Sequence, residues 1–517
     1  MYKMTVKEVR AELLKPNGQD RLERNPDICF EALWTLYERE DNAAACGLLS
    51  RFAKKKKLRD ELNARLYDRS LLYNGLAGDD PKRRKNCARL MGALEEPRDV
   101  KKLIAAAEKE THRFVKPSIL LALGMLGGDE ALEFLEQYTV APAADESEKK
   151  HETAEREALR LALAKARPVQ KRSFAGFSKP HEVELRCAKQ LGAQLKEELS
   201  DLGIEVKKQW SDGVSVETDS PLGLFEARSF HEMLIPLEKN VRLDEKTVAA
   251  YAKSRLIALL GECITGEAPY RYRIECKGDF KNRAETAKRI ADALECPELL
   301  NAPSAYDAEL RIEKQPDMPA GKCSLYVKLF VIPDTRFDYR VGSLPASIHP
   351  ATAAGVLRLA SDHLRVGARV LDPFCGSGTM LIERSFMSPC AALTGVDITP
   401  KALDVAKKND EAAATNIEFV CKDCLKFRAE KPYDEVIANM PFGNRVGTHE
   451  NNERLYREFL PKLTEWLKTG GIAVLYTMEY TLLKNLLQEF SGGLELVSRS
   501  RTEAGGLTPT VFILKKV

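Results

Sequence analysis

The sequence predicts a multidomain chain that passes through three fold classes: an all-α solenoid, an α+β module, and an α/β domain with a doubly wound, largely parallel sheet. Three observations carry this. Helical periodicity with internal repetition fills residues 1–166. Short strands of period-two alternation interleave with helices over residues 172–345. Strand and helix then alternate regularly over residues 346–517. A chain of 517 residues exceeds one ordinary core, and its composition (44% hydrophobic, 30% charged, 7% aromatic) is that of a globular protein. The longest apolar runs fall short of the about 18 residues of a membrane span. Met1–Glu8 leads into polar helical sequence with no apolar signal core, so a cytoplasmic protein without membrane contact is expected.

In the first region, Arg89–Leu94 aligns with Leu121–Leu126 at an offset of 32 residues, and Leu103 then aligns with Leu135. A helical pair of this size cannot bury its apolar face alone and must stack on neighbours. Residues 122–135 (ALGMLGGDEALEFL) resemble a HEAT repeat, which implies a small solenoid and a protein partner docking on it. The basic runs Lys54–Arg59 and Lys82–Lys85 read, taken alone, as solvated helix faces; the net charge of +3 is close to neutral. Residues 143–166 read as a charged, Ala-rich helix stopped at Arg167-Pro168.

In the second region, Val183–Leu199 reads as a helix and Ala284–Leu294 as another. Gly213–Glu217, Tyr270–Cys276, Ala308–Ile312 and Ser324–Leu329 read as strands with one covered face. In the third, apolar strands are expected at Arg369–Leu371, Ala392–Val396, Ile417–Val420, Glu435–Ala438 and Ile472–Tyr476. Ligands of such sheets bind at the carboxyl ends of the strands. Twelve cysteines show no regular framework. Cys421 and Cys424 have the spacing of a zinc half-site, but a closed site needs four ligands and no second pair lies nearby, so no metal is expected.

The first strand of this domain ends in Asp372-Pro373-Phe374-Cys375-Gly376-Ser377-Gly378-Thr379. Two glycines let the backbone approach a ligand, and the following helix start offers free N–H groups. Asp397 ends the second strand, where a carboxylate can accept both ribose hydroxyls of a nucleoside. Asp423 ends the third, where it can accept from an adenine amine. Each acid alone would read as a turn or cap residue, whereas three at successive strand ends point to one bound ligand. The fourth strand ends in Asn439-Met440-Pro441-Phe442. An exocyclic base amine is a poor nucleophile because its lone pair is delocalised into the ring. Asn439 Oδ1 and the Met440 carbonyl have the chemistry to accept its two hydrogens and turn the lone pair out, while Phe442 can stack on the base.

This loop resembles the (N/D)-x-P-(F/Y) signature of class I methyltransferases that act on base amines. Asn444–Thr448 with Asn452–Leu460, and the lead-in Ser343–Thr352, are similar to the corresponding segments of THUMP-containing tRNA guanine-N2 methyltransferases. Gly223–Phe230 and Tyr270–Arg273 with the helix after them resemble a THUMP module with its ferredoxin-like companion. The resemblance implies a Rossmann-like class I domain using S-adenosyl-L-methionine. The implied cofactor set is Asp372, Phe374, Gly376, Gly378, Thr379, Asp397, Ile398, Asp423, Cys424 and Asn439, with Asn439, Met440, Pro441 and Phe442 at the transfer site. It also implies tRNA as partner, held through phosphates by Arg271, Arg273, Lys277, Lys281 and Arg283; scattered solvated charge is the alternative for each of these. The same loop serves adenine-N6 and protein-glutamine methyltransferases. Those acceptors, an rRNA guanine, and a non-catalytic scaffold that keeps the fold for architecture all remain open.

Overall fold

Apolar positions recurring at helical spacing produce helices throughout the start of the chain. The computed structural model describes residues 3–40, 42–146, 148–167, 172–302, 304–315, 318–345, 347–441, 449–490, 492–503 and 506–517. The backbone divides into two units. The first is Met1–Lys171 with Pro269–Arg273 and Glu295–Tyr306, and the second holds Arg172–Ala268, Ile274–Leu294 and Asp307–Val517. No helix among the described residues is long and apolar enough to cross a membrane.

In the first unit, Thr5 and Glu8 close a capping box on the opening helix. Asp80 caps Pro81–Leu94, with proline at the first turn. Helices Pro81–Leu94, Val100–Lys109, Lys116–Leu126 and Asp129–Gln137 carry the 32-residue match. Gly92 and Gly124 occupy equivalent places in it. A Cβ on Gly92 would fall 2.8 Å from Ala122 Cα, and one on Gly124 would fall 2.4 Å from Ala162 Cα, so each glycine lets the next helix approach closely. The helix expected over 143–166 spans only Lys149–Ala166. Glu152 and Glu148 accept the N–H groups of Ala143 and Ala144, and these bonds hold the preceding residues in a turn outside the helix.

The middle of the chain forms β1 (His181–Arg186), β2 (Val206–Trp210), β3 (Gly213–Thr218), β4 (Glu232–Arg242), β5 (Tyr270–Gly278), β6 (Leu299–Asn301), β7 (Ala308–Lys314) and β8 (Lys322–Leu329). In the second unit, β2-β3-β1-β4-β8-β7 run antiparallel in that order. In the first unit, β5 pairs in parallel with β6 through Tyr270, Arg271 and Tyr272. The helix expected at Val183–Leu199 is corrected. The segment opens as β1, turns through Gln190 at φ 73°, and becomes helical only at Gly192–Asp201. Val183 and Leu185 alternate into the core, while Gly192 lies so close to the Trp210 carbonyl that a Cβ would fall 1.9 Å from its oxygen.

The C-terminal sheet comprises β9 (Ala368–Asp372), β10 (Cys390–Asp397), β11 (Glu418–Cys421), β12 (Tyr433–Asn439), β13 (Leu467–Thr477), β14 (Leu494–Arg501) and β15 (Thr510–Lys516), in the order β11-β10-β9-β12-β13-β15-β14. The first five strands in this spatial order are parallel. β15 and β14 add an antiparallel edge absent from the sequence-based expectation. Strand order reverses between β9 and β12, which makes that point the mouth of the ligand crevice. Arg384 and Glu435, both fully buried, pair beneath it at 2.7 and 2.9 Å and hold β12 to the helix Thr379–Met387. The antiparallel module is joined to this domain by Arg228, which donates to both carboxylate oxygens of buried Glu383 at 2.7 and 3.0 Å.

Candidate active site

The carboxyl ends of β9, β10, β11 and β12 open onto one cleft of about 920 Å³. Three aspartates meet there in the same local geometry, each accepting the N–H of the residue two positions on. Asp372 Oδ1 accepts from Phe374 (3.0 Å), Asp397 Oδ1 from Thr399 (2.8 Å) and Asp423 Oδ1 from Leu425 (3.0 Å). Such Asx turns orient each carboxylate and leave lone pairs for a ligand. Asp372 and Asp397 end their strands as expected. Asp423 lies two residues past β11, as the cap of a short turn, so its placement at a strand end is corrected; the turn still delivers it to the cleft.

Asp397 also accepts the Gly376 N–H at 3.0 Å, which ties the glycine turn to the second strand. Gly376 and Gly378 take φ 51° and 79°, left-handed values that favour glycine. Asp372 is completely buried. Desolvation, with the Asp397 charge adding to it, pushes its carboxyl from 3.8 up to about 8 although the Phe374 N–H opposes the shift. Asn409, on Pro400–Ala413, spans Gly342 and Ser377. It accepts from Gly342 N–H and donates to both carbonyls, while the Ser347 hydroxyl lies 2.8 Å from that of Ser377. The lead-in segment is thereby fastened to the glycine turn.

Of the residues expected to hold the cofactor, Asp372, Phe374, Gly376, Thr379, Asp397, Ile398, Asp423, Cys424 and Asn439 line this cleft, together with Met440 and Pro441 of the transfer loop. Gly378 supplies the left-handed turn before the helix Thr379–Met387. Phe442 and Asn444–Thr448 lie outside the described residues. A nucleoside with a sulfonium tail fits this set: acids for hydroxyls and amine, Phe374, Ile398 and Leu425 for the ring, and a glycine turn that lets the backbone come close to the ligand.

A second cavity of about 1230 Å³ is lined by Arg186, Lys189, Lys208, Lys239, Lys277, Arg311, Lys314 and Lys328, against five acids, Glu184, Asp212, Glu232, Glu313 and Glu503. Arg186 lies between Trp210 and Tyr326, 5.4 Å from each ring. Burial opposes ionisation of Glu232, but the Arg311 guanidinium, with Lys277 and Lys328, holds its carboxyl far below the usual range. His349 and Thr352 line both cavities. The His231 ring centroid lies 4.4 Å from that of His349, the planes tilted by 41°, and its Nε2 lies 3.1 Å from the Thr352 hydroxyl; burial, with His349 nearby, pushes His231 down to about 4, and burial lowers His349 as well.

Of the expected RNA-binding residues, Lys277 lies in this groove. Lys281 and Arg283 are exposed outside its lining, with Arg283 donating to the Gly278 carbonyl. Arg271 and Arg273 fall in the first unit, Arg273 over the Tyr306 ring at 4.4 Å. Sequence reasoning missed Arg186, Lys208, Lys239 and Trp210 because the groove draws them from three strands, β1, β2 and β4, far apart in the chain. Asn409 carried no local signal at all. Among the described residues, no group of three or more His, Cys, Asp or Glu side chains could hold a metal ion.

The model of the RMKL-like methyltransferase domain family matches residues 338–508. The chain is 30% identical over 257 residues to the tRNA (guanine(6)-N2)-methyltransferase of Thermus thermophilus, covering 48% of this chain and 72% of that one. It is 31% identical over 147 residues to the tRNA (guanine(10)-N2)-dimethyltransferase of Methanothermobacter thermautotrophicus, covering 28% and 43%. The crystal structure of TrmN from Thermus thermophilus superposes with a TM-score of 0.51 at 26% identity, over 65% of this chain and 99% of that chain.

Proposed function

The chain belongs to the family of tRNA guanine-N2 methyltransferases, and from that premise we propose how its two cavities divide the reaction. The enzyme transfers a methyl group from S-adenosylmethionine to the exocyclic N2 of a guanine in tRNA. The convergence of Asp372, Asp397 and Asp423 on the cleft that also holds Asn439 and Met440 carries this assignment to residues.

In the cleft, Asp397 takes the ribose hydroxyls and Asp423 the adenine amine, with Phe374, Ile398 and Cys424 around the ring. The bound cofactor supplies an electrophilic methyl carbon. Asn439 Oδ1 and the Met440 carbonyl accept the two hydrogens of the base amine, which turns its lone pair toward that carbon, and Phe442 stacks on the flipped base. The basic groove holds the RNA backbone, and the target base reaches the cleft past His349 and Thr352. Phosphate contacts from Arg186, Lys208, Lys239 and Lys277 position without reading sequence.

Residues 172–345 act as a THUMP-like module that contributes the walls of this groove, with Arg271, Arg273, Lys281 and Arg283 as further phosphate contacts. Residues 1–166 act as HEAT-like repeats that dock a protein partner, and residues 346–517 form the catalytic domain. The test is Asn439→Ala. Methyl transfer to tRNA should fall by at least about 10²-fold, while calorimetry finds cofactor affinity within twofold of the parent. Undiminished transfer overturns the role of the loop. N2-methylguanosine unchanged in tRNA nucleosides from a deletion strain overturns the substrate.

A further inference from the structure

Pro441 has no N–H, so its carbonyl is its sole backbone hydrogen-bonding handle. That carbonyl accepts the hydroxyl of Tyr456 at 3.1 Å. Tyr456 comes from the helix His449–Trp466 and is fully buried. Its oxygen lies 2.7 Å from Thr477 Oγ1, at the end of β13, and Thr477 Oγ1 in turn accepts the Glu479 N–H at 2.9 Å. The two ends of this chain fix every proton in it. A backbone N–H can only donate and a carbonyl can only accept. The Tyr456 proton is committed to Pro441, so the Thr477 hydroxyl must donate to Tyr456. One position earlier, the Met440 N–H donates to the Tyr476 carbonyl at 2.9 Å. The Met440 carbonyl therefore lies between two tethers, one made by Tyr476 of β13 and the other by Tyr456, whose hydroxyl meets Thr477 at the end of the same strand.

We propose that Tyr456, oriented by Thr477, is a positioning residue for methyl transfer that holds the Met440 carbonyl where it accepts a hydrogen of the base amine. The inference rests on the transfer-loop reading above. Burial supports a fixed geometry: Tyr456 and Thr477 are both 0% exposed, so water does not compete for the hydroxyls. Burial also pushes the Tyr456 phenol well above its ordinary range, so it remains a donor at every working pH.

The test uses the full chain with Tyr456→Phe, which keeps the ring, and Thr477→Val, which keeps the shape. Single-turnover transfer to tRNA, KM for tRNA and calorimetric affinity for S-adenosylmethionine are measured for each variant and for the pair. The expected result is a kcat about 10- to 100-fold lower in Tyr456→Phe, with KM and cofactor affinity within twofold of the parent. Thr477→Val should lose less, and the double variant no more than Tyr456→Phe alone, since both act through one bond. A kcat within twofold of the parent in Tyr456→Phe overturns the proposal. So does loss of cofactor binding together with transfer in both variants, which would assign the chain of hydroxyls to sheet architecture. Failure of the underlying reading is distinguishable: it would appear as undiminished transfer in Asn439→Ala, whatever Tyr456→Phe does.

Discussion

The two cavities of the second unit share a wall at His349 and Thr352 yet are built by opposite rules. The cleft collects three aspartates, each fixed by a backbone N–H of its own turn, so its specificity is written into main-chain geometry. The groove collects eight cations on long side chains, several already engaged by acids such as Glu232 and Glu184. A nucleoside needs fixed partners at set distances, whereas a phosphate backbone needs charge within reach, so the cleft should tolerate change poorly and the groove gradually.

The sharpest contrast is expected at Asn439, whose replacement should remove transfer by orders of magnitude while leaving binding intact. Next, Asp397→Ala should weaken the cofactor roughly 10- to 100-fold by calorimetry, because a charged acceptor and a tether of the Gly376 turn are lost together. An affinity within threefold would erase the claimed rigidity of the cleft. Lys208→Glu with Lys239→Glu should raise KM for tRNA several-fold, leave kcat and cofactor affinity alone, and flatten the salt dependence of RNA binding by about two units of log-log slope. An unchanged slope would remove the groove from the RNA path.

The smallest effect concerns pH. Asp372 keeps its proton in the folded chain up to about 8, whereas the unfolded chain releases it near 3.8. The folded state binds more protons within that window, so this group makes stability fall as pH rises from about 4 toward 8. Asp372→Asn should remove that component. Its thermal midpoint relative to the parent should rise across the window and level off above it. A constant difference between the two melting curves would place the carboxyl at its ordinary value.

The parts of the site legible in the sequence were those encoded by neighbours in the chain. An Asp at a strand end, a Gly-Ser-Gly turn and an Asn-Met-Pro-Phe loop each carry their geometry within a few residues. Non-local pairs were invisible: Arg228 with Glu383, Arg384 with Glu435, Asn409 with Gly342, and Tyr456 with Pro441. The misread helix at Val183–Leu199 has the same origin. Its second half is helical, and the period-two signal of Val183 and Leu185 was too short to stand against it until β3 and β4 supplied the pairing. β14 escaped notice because it is largely exposed and carries little apolar patterning, whereas β15 is a buried apolar run whose antiparallel place beside β13 has no local signal.

Gly92 and Gly124 carry a different kind of consequence. Each is the point at which one helix admits the next, and both stand at the same place in the 32-residue match. A side chain at either position would push the next helix outward, so Gly92→Val and Gly124→Val should loosen the same kind of joint.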